Sequence, residues 1–145
     1  MKKVIKILLI LSLIMSVFSL PVHAVDQSSA SVGDIRPMFS YIVTMAHYFD
    51  INNMGKATCE ALMNAFDADK LMVEVELQQY DLKTYKWKTI KTWTKTTIGD
   101  DSCGAGGSWY VMSGNMYRSV ARGYVYVNGE LVEDHEMISS VKVYE

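Results

Sequence analysis

One property limits this chain more than any other: apolar side chains recur at every second residue along much of its length. Leu71, Val73, Val75 and Leu77 fall on one side of an extended backbone, and Met72, Glu74 and Glu76 fall on the other. A period of two is a strand signal, and one apolar face backed by one wet face suits an antiparallel sheet. The same period runs through Phe39, Tyr41, Val43, Met45, His47, Phe49 and Ile51. It returns in Ala57, Cys59, Ala61, Met63 and Ala65, so residues 56–66 read as a strand although their Ala, Glu, Leu and Met favour helix by propensity. Asn52-Asn53-Met54-Gly55, Asp67-Ala68-Asp69-Lys70 and residues 81–85 are turn signals between these runs.

Residues 87–97 are rich in Thr and aromatics, hence strand-like. Trp87 and Trp93 share a parity that Ile90 breaks, which predicts a bulge or a switch between sheets. Residues 99–107 read as a loop, 108–112 as a short strand, 117–127 as a strand, and 131–144 as a less regular closing segment. Asn128-Gly129 is the strongest hairpin signal and suits a type I′ turn. The expectation is an all-β fold: a single antiparallel sandwich of about seven strands and immunoglobulin-like size, spanning residues 38–145, with a small barrel as the alternative.

The first 24 residues are of another kind. Residues 1–6 are basic, 7–20 are apolar apart from three serines, and Val22 and Ala24 stand where signal peptidase requires small residues. An apolar core of about 14 residues is short of the roughly 20 that cross a bilayer. The segment therefore reads as a signal peptide cleaved after Ala24, and the protein as secreted. Residues 25–37 read as a flexible polar linker. No later stretch is apolar enough to span a membrane, and no cysteine follows the cut to carry a lipid. Removing those 24 residues, which carry three lysines and no acid, leaves 121 residues with 11 basic and 16 acidic groups, a net charge of −5. That balance disfavours nucleic acid as a partner.

Export changes how Cys59 and Cys103 read. An even count outside the cytosol favours a disulfide, which for this loop would stabilise by about 4 kcal/mol. Two free thiols, or a catalytic thiol served by His47 or His135, are the other readings. Gly55-Lys56-Ala57-Thr58-Cys59, the Trp87-x-x-Ile90-x-x-Trp93 spacing and Gly114-Asn115-Met116-Tyr117-Arg118, taken in order, resemble an uncharacterised family of small exported β-sandwich proteins from clostridia and related bacteria. The likeness covers roughly residues 38–145 and implies a sandwich fold, with no activity to carry over.

Signals for chemistry are sparse. Gly106-Gly107-Ser108-Trp109-Tyr110 lacks the last glycine of a nucleophile elbow. Glu133-Asp134-His135-Glu136 has no second ligand cluster at zinc spacing, and it reads as a solvated acidic edge. Gly104-Ala105-Gly106-Gly107 lacks the lysine and the strand-loop-helix frame of a phosphate cradle. No catalytic residue, metal or cofactor is therefore expected, and the protein reads as non-catalytic.

Two surfaces keep binding in view. Lys83, Lys86, Lys88, Lys91 and Lys95 lie in a stretch without acids, suited to acidic glycans or anionic cell wall. They equally suit an edge strand protected against aggregation, or a face paired with Glu74 and Glu76. Arg118, Val120, Arg122, Tyr124 and Tyr126 share one parity, and Arg and Tyr are favoured at recognition surfaces. Tyr117 is expected to be buried, its hydroxyl bonded to backbone near the Gly114 turn as in a tyrosine corner. The leading expectation is an extracellular structural or binding module. A carbohydrate- or cell-wall-binding module using Tyr, Trp and Arg is the alternative, with a secreted enzyme or toxin-like factor behind it. The partner would be cell-wall glycan or an extracellular protein.

Overall fold

A computed structural model describes residues 40–145; the expected signal peptide and linker lie outside the described residues. Eight strands follow one another: β1 (Ile42–Ile51), β2 (Lys56–Ala65), β3 (Lys70–Asp81), β4 (Lys86–Ile98), β5 (Ser102–Tyr110), β6 (Asn115–Val127), β7 (Glu130–Ile138) and β8 (Lys142–Tyr144). They pair antiparallel in two sheets, a smaller one in the order β1-β2-β5 and a larger one in the order β4-β3-β6-β7, with β8 beside the start of β6. The architecture is a sandwich rather than a barrel. Lettering the strands A, B, C, C′, E, F and G turns these orders into A-B-E and C′-C-F-G, an immunoglobulin-type connectivity in which the fourth strand has joined the second sheet.

The alternation in the sequence becomes the core. Ala57, Cys59, Ala61, Met63 and Ala65 of β2 face Leu71, Val73, Val75 and Leu77 of β3, and all are buried. Tyr117, at the start of β6, is also buried. Its hydroxyl donates to Met112 O at 2.9 Å and accepts from Met112 N at 3.2 Å, the tyrosine corner expected at this strand. Asn128 and Gly129 take φ of 52° and 82°, as a type I′ turn requires.

The Ile90 discrepancy resolves as a bulge. Leu77 pairs with Lys91 and Gln78 with Thr89, so Ile90 has no partner. Trp87 and Trp93 consequently face opposite sides of the sheet despite their shared parity. Trp93 stands opposite buried Val75, and Trp87 stands opposite Tyr80, its ring 5.1 Å away.

Four expectations are corrected. A second bulge lies between Ile42 and Thr44; it buries Ile42 and leaves Val43 exposed, ending the alternation that Met45–Ile51 obey. The closing segment is not one irregular stretch but divides into β7 and β8, so the expected count of about seven strands comes to eight. Residues 102–107 are strand, not loop, because β2 offers them a complete ladder from Asn64 to Cys59. The glycines there serve close approach: a Cβ on Gly106 would lie 2.3 Å from Cys59 O, and one on Gly107 would lie 2.4 Å from Trp93 Nε1.

The fourth correction concerns the disulfide. Both thiols are buried and free. Cys59 stands opposite Gly107 and Cys103 opposite Met63, so they are four positions out of register on neighbouring strands. That offset is roughly 13 Å along the strand, whereas a disulfide holds its Cα atoms within about 7 Å.

Candidate functional site

The open face of the smaller sheet carries a broad concavity. Side chains of outward parity form rows across β1, β2 and β5: Ala46–Leu62–Gly104 and Tyr48–Glu60–Gly106. On β5 both rows end in glycine, so the strand presents bare backbone where side chains would otherwise stand. The result is an open groove of about 640 Å³, bounded on its far side by Trp93, Thr94 and Lys95 of β4. Its size is that of a small-molecule or oligosaccharide site. Tyr48 and Leu62 are about half exposed along it, and Glu60 and Lys95 bring one charge of each sign. Beyond the glycine rows the face is hydroxyl- and amide-rich. Thr58 and Ser108 hydroxyls lie 3.1 Å apart, and Asn64 Nδ2 donates to Thr44 Oγ1 at 2.9 Å.

The sequence-selected surface residues divide between two places. Arg118, Arg122, Tyr124 and Tyr126 do share one face, the outer face of the larger sheet. That face is internally satisfied. Arg122 donates from Nε to Glu136 at 2.7 Å and from Nη1 to Glu74 at 3.2 Å, with Glu76 at 3.4 Å. Burial opposes its charge, but the three carboxylates outweigh burial and hold the guanidinium above its ordinary pKa. Arg118 donates to Gln78 Oε1 at 2.8 Å and lies 4.4 Å over the Trp87 ring. Tyr126 is covered by Lys70 Nζ at 3.7 Å.

Lys86, Lys88 and Lys91 stand elsewhere. By register with Asp81, Gln79 and Leu77 they belong to the opposite parity of β4, as does Lys95. β4 is an edge strand, and inward-parity lysines on an edge discourage pairing with another sheet. Glu74 and Glu76 pair with Arg122 and not with these lysines. Lys91 instead lies 4.8 Å over the ring of Trp109, which is nearly half exposed on β5.

The acidic run on β7 is likewise dispersed. Glu133 accepts from the backbone N–H groups of Ser40, Tyr41 and Ile42, so it fastens the start of β1 to the far sheet. Glu136 belongs to Arg122. Among the described residues no group of three His, Cys, Asp or Glu is placed to hold a metal ion.

One polar cluster lies between the sheets. His47 Nε2 is 2.9 Å from Ser119 Oγ, and the same hydroxyl shares a hydrogen bond with the Cys59 thiol. Ser119 is fully buried, so its hydroxyl offers no face to a substrate. Burial pushes the Cys59 thiol up to about 11 against the lowering effect of that hydrogen bond. Burial also holds His47 below the ordinary imidazole value. A protonated thiol, a neutral imidazole and an enclosed serine form a satisfied interior network, not an activated nucleophile.

Sequence reasoning missed Tyr48, Glu60 and Leu62. The available signal was a large apolar residue on the wet parity of β1 and β2, but the groove exists only because β5 brings glycines beside them. The chain matches no protein-family model, and no curated protein matches it.

Proposed function

We propose that this chain is a secreted, non-catalytic binding module, released after cleavage behind Ala24, whose ligand is a surface glycan held in the groove of the smaller sheet. One observation carries the reading: a half-exposed tyrosine stands beside a floor of bare backbone, with Glu60 and Lys95 at its margins. A sugar ring needs a flat apolar surface to lie on and hydrogen-bonding groups around its rim. Tyr48 offers the surface, and Glu60, Lys95 and the neighbouring backbone offer the rim. The groove is open along its length, which suits a chain more than a compact metabolite.

Glycan arrays and pull-downs on isolated cell wall test this directly. The secreted protein should retain at least one glycan class, and Tyr48→Ala should remove that retention without changing the circular dichroism spectrum. Blank arrays and pull-downs, or retention unchanged in Tyr48→Ala, would sink the reading.

A further inference from the structure

The two ends of the sandwich differ in chemistry. Turns 52–55, 82–85 and 111–114 and the end of β8 gather at one of them, tied by Val111 N to Gly55 O, Gly114 N to Tyr144 O and Gln79 to Asn115. The turns 66–69, 99–101 and 128–129 gather at the other, joined by Asp69 N to Tyr126 O and Gly99 N to Asp69 O.

At the first end the turns and strand ends carry large apolar side chains in water. Met54, Leu82, Tyr85, Tyr110 and Met112 are 63–77% exposed. Turn geometry asks for Gly, Asn, Asp or Pro and never for these residues, and a cluster of this kind marks an interaction surface. Lys56, Lys83, Lys86 and Lys88 surround it, and none of the four has a carboxylate within ion-pair distance among the described residues. The nearby acids are engaged: Asp81 accepts from Lys83 N at 2.8 Å within its own turn, and Asp50 holds Lys142. Glu145 is the remaining acid there. At the opposite end Asp67, Asp69, Asp100, Asp101 and Glu130 face a single cation, Lys70.

The apolar end also holds a recess. A cavity of about 360 Å³ lies between the β3–β4 hairpin and Asn115. Lys83 and Lys88 line it with the amides of Gln79 and Asn115, Leu82 and Ile90 line its apolar side, and Asp81, whose carboxylate is held by its own turn, is the one acid on its wall. The two ammonium groups are the donors suited to a phosphate diester, the Asn115 amide being engaged by Met112 O and Ser113 O and the Gln79 amide by Asn115 Oδ1, and the adjoining exposed apolar tips continue toward where its acyl chains would be.

We propose that this end docks on a bilayer containing anionic phospholipid, with Leu82, Tyr85, Tyr110 and Met112 entering the headgroup boundary and Lys83 and Lys88 holding a lipid phosphate. Apolar insertion and attraction of lysines to anionic headgroups reinforce one another. The acidic end is repelled by the same surface, so the molecule stands upright and the groove of the smaller sheet remains open to solvent.

Co-sedimentation of the secreted protein with phosphatidylcholine vesicles, with and without phosphatidylglycerol, tests the proposal. Binding should require phosphatidylglycerol and weaken as salt rises. The Lys83→Glu, Lys88→Glu double variant should bind at least about tenfold more weakly, as should Leu82→Ser with Met112→Ser. Ile98→Ser, an equally exposed apolar site at the acidic end, should bind like the parent, with circular dichroism confirming that each variant is folded. Tyr48→Ala should also bind vesicles normally, so failure of the glycan reading leaves this one standing. The proposal is overturned if the parent ignores phosphatidylglycerol, if it binds phosphatidylcholine equally, if either double variant binds unchanged, or if this end captures only a protein or a second copy of the chain.

Discussion

The two outer faces of this sandwich are made by the same alternation and end in opposite states. The larger sheet's face is filled: Arg122 is shared by Glu74, Glu76 and Glu136, Arg118 lies on Trp87, and Lys70 lies on Tyr126. The smaller sheet's face is left bare where Gly104 and Gly106 interrupt it. A face whose charges already hold one another gains little from a ligand, because each new contact displaces one already made. A face with exposed backbone beside Tyr48 has room for one. The residue types most associated with recognition, Arg and Tyr, are therefore plentiful on the face that is satisfied and scarce on the face that is open.

The largest test of that contrast is at Gly106. Its φ is 151° and an added Cβ would meet Cys59 O at 2.3 Å, backbone that cannot rotate away. Gly106→Val should destabilise by about 3 kcal/mol, read as a fall in Tm of more than roughly 10 °C. A fall of a degree or two would mean that β5 is held less closely than described.

Arg122→Met comes next. It leaves three carboxylates facing one another, and it should cost about 1–2 kcal/mol by denaturant unfolding. If the variant is as stable as the parent, the larger face is not held by its charges and the contrast with the smaller face dissolves.

His47, between the sheets, should give a slope instead of a step. Burial depresses its folded pKa below the ordinary 6.5. The unfolded chain therefore binds the proton more readily, and stability is lost as pH falls from 6.5 toward the folded value. His47→Gln should flatten Tm between neutrality and mild acid, and an unchanged profile would remove burial of the imidazole as its cause.

The smallest stability effect is expected at Gly104, where the nearest atoms to an added Cβ are Leu62 Cδ1 at 3.2 Å, the end of a half-exposed side chain, and Ala61 O at 3.3 Å. Gly104→Gln should change stability by less than about 0.5 kcal/mol while filling the groove and abolishing glycan retention. Loss of stability without loss of retention would reverse the roles assigned to the two glycines.

What was legible in the sequence follows from where each signal resides. Leu71–Leu77 announced its sheet because both faces are written in consecutive residues. Asn128-Gly129 and Tyr117 were legible because a turn and a corner are local. The bulge at Ile90 was legible as a broken parity, but not its result, which turned Trp87 away from Trp93. Residues 102–107 carried no strand propensity; β2 imposes extension on them through ladder partners 38 to 48 residues away in sequence. Register decides whether Cys59 meets Cys103, and register is a property of two strands together. The groove was illegible for the same reason, since Tyr48, Leu62 and Gly104 become neighbours only after three strands are aligned.

In the immunoglobulin lettering, Cys59 lies on strand B and Ser119 on strand F, two residues after the corner tyrosine, which is where the two halves of an intersheet disulfide stand in antibody domains. Here the same crossing is made by a thiol, a hydroxyl and an imidazole. The brace is thus indifferent to electron supply: the domain should melt at the same temperature with or without reductant, and it needs no oxidase to mature. Restoring the missing sulfur with Ser119→Cys should make the fold redox-responsive, with a bond to Cys59 visible as a loss of two hydrogens in the intact mass.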